Sequence, residues 1–118
     1  MMIPHYQSTL KLTHYGRKTA NVYHVTIWFV EIDDELWIGS LDENRSWVRN
    51  LRATGRGAVD FGEGANNVSV EPITQADLQR FRDAVAKKYP MLSRLIGLFV
   101  RGKTQAAFRV RVAPNKGD

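Results

Sequence analysis

The sequence predicts a mainly β protein of the α+β class, a six-stranded antiparallel β-barrel with two or three helices packed on its outside. Apolar and polar residues alternate in six short runs that are separated by turn residues, which is typical of antiparallel strands. The helical segments stand between these runs without the strict strand–helix alternation of a parallel sheet. An antiparallel barrel with helices on its outside fits this order of elements better.

The first three strands are predicted within the first 40 residues. Leu10 and Leu12 alternate with polar neighbours and indicate the first strand. Residues 21–31 predict a long second strand with two half-buried faces, because large side chains lie on both. One face carries Tyr23, Val25, Ile27 and Phe29, and the other carries His24, Thr26 and Trp28. A polar turn then leads to the third strand at residues 36–40.

A short helix is predicted after the third strand. Asp42 or Asn44 can cap its first turn, and the helix ends near Ala53, just before Gly55. Its packed side carries Trp47, Val48 and Leu51.

The next elements are a hairpin and a second helix. Residues 58–61 and 67–73 predict two strands joined across a glycine-rich turn. Thr74 and Asp77 resemble a capping box, which indicates the start of a helix that Pro90 ends.

The chain is expected to form one domain, residues 1–114, followed by a free tail at 115–118. Residues 91–100 are apolar and of undetermined form, and residues 106–112 alternate as a last strand with one buried and one wet face. No run approaches the roughly 20 apolar residues of a membrane span, and the N-terminus lacks the features of a secretory signal. The absence of cysteine excludes disulfides and thiolate chemistry and fits a cytoplasmic location.

Two basic segments, residues 16–19 and 45–51, flank the apolar hairpin and predict a shared anionic ligand. The net charge of +5 also favours an anionic partner. Arg17 and Lys18 suit a phosphate, although a plain surface turn is the alternative. Ser46 belongs to the first helical turn, where free N–H groups attract phosphate. Together with the flat hairpin, this layout favours a phosphorylated, ring-bearing cofactor.

Other chemistries find little support in the sequence. The three histidines lack metal-ligand spacing, and no clustered carboxylates accompany them. No Walker loop, dinucleotide-binding glycine pattern or nucleophile elbow is present. The acidic residues fall in turns and caps, where structural roles account for most of them.

These residues resemble the deazaflavin-dependent nitroreductase family over residues 10–112. Residues 12–19 look like that family's Leu-Thr-Thr-x-Gly-Arg-Lys-Ser/Thr opening, except that Ala20 and Asn21 follow where the family has glycine. The other matching segments keep the family's order and spacing. They are residues 28–30, 36–40, 46–53, 87–90 and 107–110.

The resemblance implies a split β-barrel related to the flavin-binding pyridoxamine-phosphate oxidases, together with a set of cofactor-binding residues. Arg17, Lys18 and Thr19 would face the acidic tail and phosphate of coenzyme F-420, an 8-hydroxy-5-deazaflavin. Ser40, Arg45, Ser46 and Trp47 would lie beside its phosphate and ring, with Asn50 supporting the turn at residues 45–47. Val25, Thr26, Ile27 and Trp28 would line the ring. Ser40 and Tyr89 are candidate proton donors.

The resemblance also implies a function and a partner. We expect an oxidoreductase that transfers hydride from the deazaflavin to a small organic acceptor such as an enone, a quinone or a nitro compound. Such barrels pair as homodimers with the ligand at the subunit interface. The alternatives are the same fold holding FMN, haem or biliverdin, as an oxidoreductase or a carrier, and, more distantly, a nucleic-acid-binding barrel. The membrane-associated relatives' N-terminal extension is missing, so we expect no membrane partner.

Overall fold

A computed structural model describes residues 1–91 and 105–113, which form a closed antiparallel barrel with the spatial strand order β1-β2-β3-β6-β5-β4. The strands are β1 (Thr9–Tyr15), β2 (Val22–Ile32), β3 (Glu35–Ser40), β4 (Arg56–Asp60), β5 (Ala65–Pro72) and β6 (Ala106–Val112). Two helices complete the described part of the chain, α1 (Ser46–Thr54) between β3 and β4 and α2 (Gln75–Lys88) between β5 and β6. The predicted fold class is confirmed.

The core fills the barrel interior and extends under α1. Leu12, Ile38 and Phe108 are fully buried among the inward side chains of the strands. Val48 and Leu51, from the apolar stripe of α1, join the same cluster. The helix therefore packs its predicted face onto the barrel and is held there by hydrophobic contact.

Over residues 24–29, the long second strand has one buried face rather than two. Its inward residues pair in register with β1, so that Ile27 lies opposite Leu10 and packs in the core. His24, Thr26 and Trp28 point the other way and are exposed. The prediction that both faces are half-buried is therefore wrong at these three positions, because the pleat sends them away from the core.

The first helix begins later than predicted. Arg45 is its N-cap residue and makes no side-chain capping bond. The predicted caps belong to the preceding turn, where Asp42 Oδ1 accepts from the backbone N–H of Asn44 at 3.0 Å. The predicted end is correct, because Gly55 adopts a φ of 67° and donates its N–H to the carbonyl of Leu51.

The later elements follow the predictions, except that the two faces of β6 are not cleanly divided, since Ala107 on the predicted wet face is buried. Thr74 is the N-cap of α2 and accepts from the N–H of Asp77 at 3.3 Å. β4 and β5 form the expected hairpin. On β6, Phe108 and Val110 are buried, but Val112 is exposed because it lies at the strand end. The proposed tail at 115–118 and all but the first residue of the 91–100 segment lie outside the described residues.

Within residues 1–91 and 105–113, no helix is both long and apolar enough to cross a membrane.

The second helix packs over β3 at a glycine. A Cβ atom at Gly39 would lie 2.7 Å from Cε2 of Phe81 on α2 and 2.9 Å from the carbonyl oxygen of Ala106 on β6. Trp37, two residues earlier, is buried with the guanidinium groups of Arg80 and Arg109 over its ring. The outer face of β3 is thus shaped to receive α2.

We expect Gly39→Ala to lower the free energy of unfolding by about 1–3 kcal/mol, since the methyl group overpacks the α2 contact. Urea denaturation measures this loss. The same substitution is then made in a Phe81→Ala variant, which lacks the phenyl ring that the new methyl group would meet. In that background the penalty of Gly39→Ala should shrink, because contacting residues couple. A penalty that is the same in both backgrounds would contradict this packing.

Candidate functional site

A pocket of about 360 Å³ opens where the β1–β2 turn meets the start of α1. Its lining residues come from β1, the turn, β2 and α1. They are His14, Gly16, Arg17, Lys18, Thr19, Tyr23, Ser46 and Asn50. The two basic segments singled out in the sequence therefore meet in one pocket through Arg17, Lys18 and Ser46.

The turn that carries the two cations is closed by its own hydrogen bonds. Gly16 donates its N–H to the carbonyl of Asn21 at 2.8 Å, and Ala20 donates to the carbonyl of Gly16 at 3.0 Å. Thr19 Oγ1 accepts from the N–H of Asn21 at 3.3 Å. Ala20 adopts a φ of 61°, a left-handed conformation that is strained for a residue with a Cβ. The hydrogen bonds of the turn therefore hold Ala20 in this strained conformation.

Asn50 fastens this turn to α1. Its side chain is buried, and Oδ1 accepts from the backbone N–H of Arg17 at 3.3 Å and from Arg17 Nη1 at 2.8 Å. Its Nδ2 lies 2.9 Å from Nδ1 of His14. These bonds join Asn50 to the β1–β2 turn and β1, whereas the resemblance led us to expect support for residues 45–47.

His14 forms the inner wall of the pocket with an aromatic neighbour. Its ring is buried and stacks on Tyr23, with the ring centroids 5.5 Å apart and the planes 23° from parallel. Burial lowers the pKa of His14 from its ordinary value, and the nearby charge of His24 lowers it further. His24 itself shares a 3.0 Å hydrogen bond with Thr13. Both effects favour the neutral form of His14.

The pocket carries positive charge that the described residues do not neutralise. Within residues 1–91 and 105–113, no carboxylate lies within ion-pair distance of Arg17 or Lys18. Some cations elsewhere do have acidic partners, as with Arg52 and Glu43 at 3.4 Å or Arg109 and Asp77 at 3.2 Å. In the described part of the chain, an anion could therefore meet these two pocket cations without displacing a carboxylate.

Ser40 and the remaining predicted residues of the second basic segment lie beside or behind the pocket. Arg45 is exposed and immediately precedes Ser46. Trp47 is buried, with its ring centroid 6.3 Å from that of Phe108, so it belongs to the core. Ser40 donates to the carbonyl of Asp42 at 2.9 Å and accepts from its N–H at 3.1 Å. Of the residues predicted in this segment, Ser46 and Asn50 line the pocket.

Residues 25–28 of β2, which were predicted to line the ring, also lie outside the pocket. Val25 and Ile27 pack with the hydrophobic core. Thr26 lines a separate, shallow depression on the outer barrel surface. Trp28 is exposed and tilts against the ring of Tyr89, with centroids 6.1 Å apart.

Tyr89, one of the two candidate proton donors, is engaged in a structural contact. Its hydroxyl lies 2.7 Å from the carbonyl oxygen of Phe29 and 2.8 Å from that of Ser8. Burial raises the pKa of Tyr89 above its ordinary value. Neither Tyr89 nor Ser40 lines the pocket.

Sequence reasoning missed two pocket residues, His14 and Tyr23. It treated His14 as an ordinary strand residue and Tyr23 as one member of an apolar face. The signal was available, because they pair across β1 and β2 next to the turn that bears Arg17. Counting outward from that turn places their side chains on the same face and against each other.

Among residues 1–91 and 105–113, no group of three or more His, Asp or Glu side chains is arranged to hold a metal ion.

The strand order and the two flanking helices define a split β-barrel protein, with a charged pocket between its first turn and α1. Residues 5–112 match the family described as an uncharacterized protein conserved in bacteria, DUF2255, and the chain belongs to that family. A search of curated proteins finds no match.

Solved structures with this fold include proteins of different roles. A structure described as an F420-H2 dependent reductase is 15% identical and has a TM-score of 0.71, over 89% of this chain and 95% of that one. The haem storage protein HutZ of Vibrio cholerae is 12% identical with a TM-score of 0.69, over 93% and 84%. An FAD-binding protein of Mesorhizobium loti is 16% identical with a TM-score of 0.64, over 93% and 84%. The predicted relation to these barrels is confirmed at the level of the fold.

We expect the unfolding free energy to fall as the pH decreases from about 6.5, because unfolded His14 then takes up a proton before the folded residue does. The loss should continue until the folded residue is also protonated. Chemical denaturation at a series of pH values measures it. In His14→Gln this part of the pH dependence should disappear. Equal slopes for wild type and variant would show that burial of His14 does not shift its protonation.

Proposed function

We propose that this protein is a split-barrel oxidoreductase that binds coenzyme F-420 in the pocket between the β1–β2 turn and α1. It would transfer a hydride to a small organic acceptor such as an enone, a quinone or a nitro compound. One observation carries the proposal. Arg17 and Lys18, which have no carboxylate partner among the described residues, line the same pocket as the aromatic ring of Tyr23.

The charged end of the pocket suits a phosphate or carboxylate. Arg17 keeps a fixed position through Asn50, so its remaining N–H groups are oriented in advance. The hydroxyls of Thr19 and Ser46 add donors at the same place. α1 starts at Ser46 without a side-chain cap and without an acidic residue in its first turn, which leaves its free N–H groups available to an anion.

The aromatic end of the pocket suits a flat ring. Tyr23 is 44% exposed and is supported from beneath by its stacking on His14. The pocket volume is near the lower end of the range for ligand sites, about 300–1,000 Å³. We infer that it holds one end of the coenzyme and that a second copy of the chain completes the site.

In its reduced form, the deazaflavin would supply the hydride when it is bound and would be left oxidised. The residues of this chain would bind its acidic end, orient it and exclude water from one side. The hydroxyl of Ser40 is occupied by Asp42, and that of Tyr89 by backbone carbonyls. We therefore propose that the proton which completes the reduction comes from solvent.

FMN is the second candidate, because its phosphate and flat ring match the same two ends of the pocket. Haem fits less well. Nδ1 of His14 is taken up by Asn50, and the ring lies buried against Tyr23, so it offers little access to an iron. Nucleic acid is the least favoured, since Arg109 and Arg111 on β6 are paired with acidic residues.

We expect calorimetric titration of the purified protein to show saturable binding of coenzyme F-420 at micromolar concentration or below, with FMN, haem and biliverdin as parallel ligands. The double variant Arg17→Ala with Lys18→Ala should weaken binding by roughly 2–5 kcal/mol, because each side chain makes a charge-assisted contact.

The matched control is Arg82→Ala with Lys87→Ala on α2, which removes the same charge away from the pocket. It should leave the affinity unchanged. Equal affinities of the pocket variant and the wild type would remove Arg17 and Lys18 from the site. Tight binding of FMN alone would assign the cofactor to the second candidate.

We also propose a homodimer that pairs through the outer face of β2, where Val22 and Trp28 are 57% and 47% exposed. Light scattering should then give twice the mass of one chain. Val22→Lys should yield monomers and weaken coenzyme binding, because a charge at an apolar contact must be desolvated. Val112→Lys, at a position of similar exposure on β6, is the control and should remain dimeric. A dimeric Val22→Lys variant would locate the interface elsewhere.

A further inference from the structure

The base of the pocket contains a hydrogen-bonded chain of three side chains from three elements. His14 comes from β1, Asn50 from α1 and Arg17 from the turn between β1 and β2. Asn50 is the central member, is 3% exposed and has its amide oxygen and nitrogen facing different neighbours. Its backbone carbonyl accepts from Thr54 at 2.9 Å, which anchors the residue within the helix.

The chemistry of the three groups fixes the direction of each bond. Arg17 offers only donors, a backbone N–H and a guanidinium, so the amide oxygen of Asn50 must face it. The amide nitrogen, a donor, therefore faces Nδ1 of His14 at 2.9 Å. Nδ1 must accept this bond and carries no proton, so a neutral His14 ring has its proton on Nε2.

We propose that His14 is a positioning residue whose protonation state sets the orientation of the Asn50 amide and, through it, the placement of Arg17 in the pocket. A proton on Nδ1 of His14 would point at the amide N–H group of Asn50, so that two hydrogen-bond donors would face each other and repel. Rotation of the amide would relieve that contact but would turn its N–H group toward the donors of Arg17. Either arrangement deprives Arg17 or His14 of its acceptor.

The surroundings of His14 favour the neutral ring. The titratable and charged groups nearby are Tyr23 and His24 on β2 and Arg17 and Lys18 in the turn, with the uncharged amide of Asn50 on α1. In the part of the chain that the structure describes, no carboxylate forms an ion pair with His14. Protonation would thus add a buried positive charge beside two existing ones, which is unfavourable. Above the pKa of His14 the chain of bonds is complete.

Nitrogen-15 NMR of the apo protein tests this coupling without any cofactor. At pH 8 the His14 ring should show an unprotonated Nδ1 and a protonated Nε2. The guanidinium signal of Arg17, assigned by its loss in Arg17→Lys, should change on acidification with the same midpoint as the His14 ring. A protonated Nδ1 at pH 8, or an Arg17 signal that does not follow His14, would overturn the proposal.

Two variants separate coupling from a general effect of acid. In His14→Gln the side-chain oxygen can still accept from Asn50 but does not titrate, so the Arg17 signal should become insensitive to pH across this range. In His24→Gln, which lacks the neighbouring histidine but keeps the chain of bonds, Arg17 should still follow His14. A titrating Arg17 signal in His14→Gln would also contradict the proposal.

The consequence for ligand binding rests on the proposed function and has its own measurement. Asn50→Leu removes the acceptor of Arg17 and should weaken inorganic pyrophosphate binding at pH 8 by about tenfold, the loss expected for one charge-assisted bond. If Arg17 follows His14 but pyrophosphate does not bind the wild type, the coupling stands and the proposed anion site fails. If pyrophosphate binds but Arg17 ignores His14, the anion site stands and the coupling fails.

Discussion

The packing of α1 against the barrel is the contact on which the pocket depends. Trp47, Val48 and Leu51 are buried by this contact, and each such side chain contributes about 1.5–3 kcal/mol when it leaves water. Asn50 lies on the same helix between these anchors and can reach the β1–β2 turn only while the helix is seated. Hydrophobic burial is not directional, but by holding α1 on the barrel it places the Asn50 amide, which orients Arg17.

Charge is distributed unevenly over the barrel. Both arginines of β6 are matched with acids, Arg109 with Asp77 and Arg111 with Glu35. Such exposed pairs add little stability but remove the local positive potential. Arg17 and Lys18 have no such partners among the described residues, so their positive charge remains available at the pocket.

The sequence predicted the strands and their order well because alternation reports directly which residues face a core. It predicted the start of α1 less well. Asp42 could bond either to the helix or to the turn before it, and the turn prevailed. The resemblance placed Trp47 beside a cofactor ring, but its helical spacing with Val48 and Leu51 assigns it to the packed face. A large indole is stabilised most by burial.

The candidate site was predicted in part for a related reason. Arg17, Lys18 and Ser46 are recognisable from charge and from their place at a turn or a helix start. His14 and Tyr23 acquire meaning only from the pairing of β1 with β2, which depends on the exact length of the connecting turn. Asn50 was identified by resemblance, but its partners depend on how a helix and a turn meet in space, and a local pattern does not contain that information.

The left-handed alanine in the turn has an energetic consequence for association. A glycine there would let the unliganded turn sample many backbone shapes, most of which would have to be given up when a ligand arrives. Ala20 narrows that choice beforehand, at a cost of about 1–2 kcal/mol drawn from folding. The conformational entropy of the turn is therefore lost when the protein folds and not when a ligand binds. Less of the contact energy between ligand and protein would then be offset on binding.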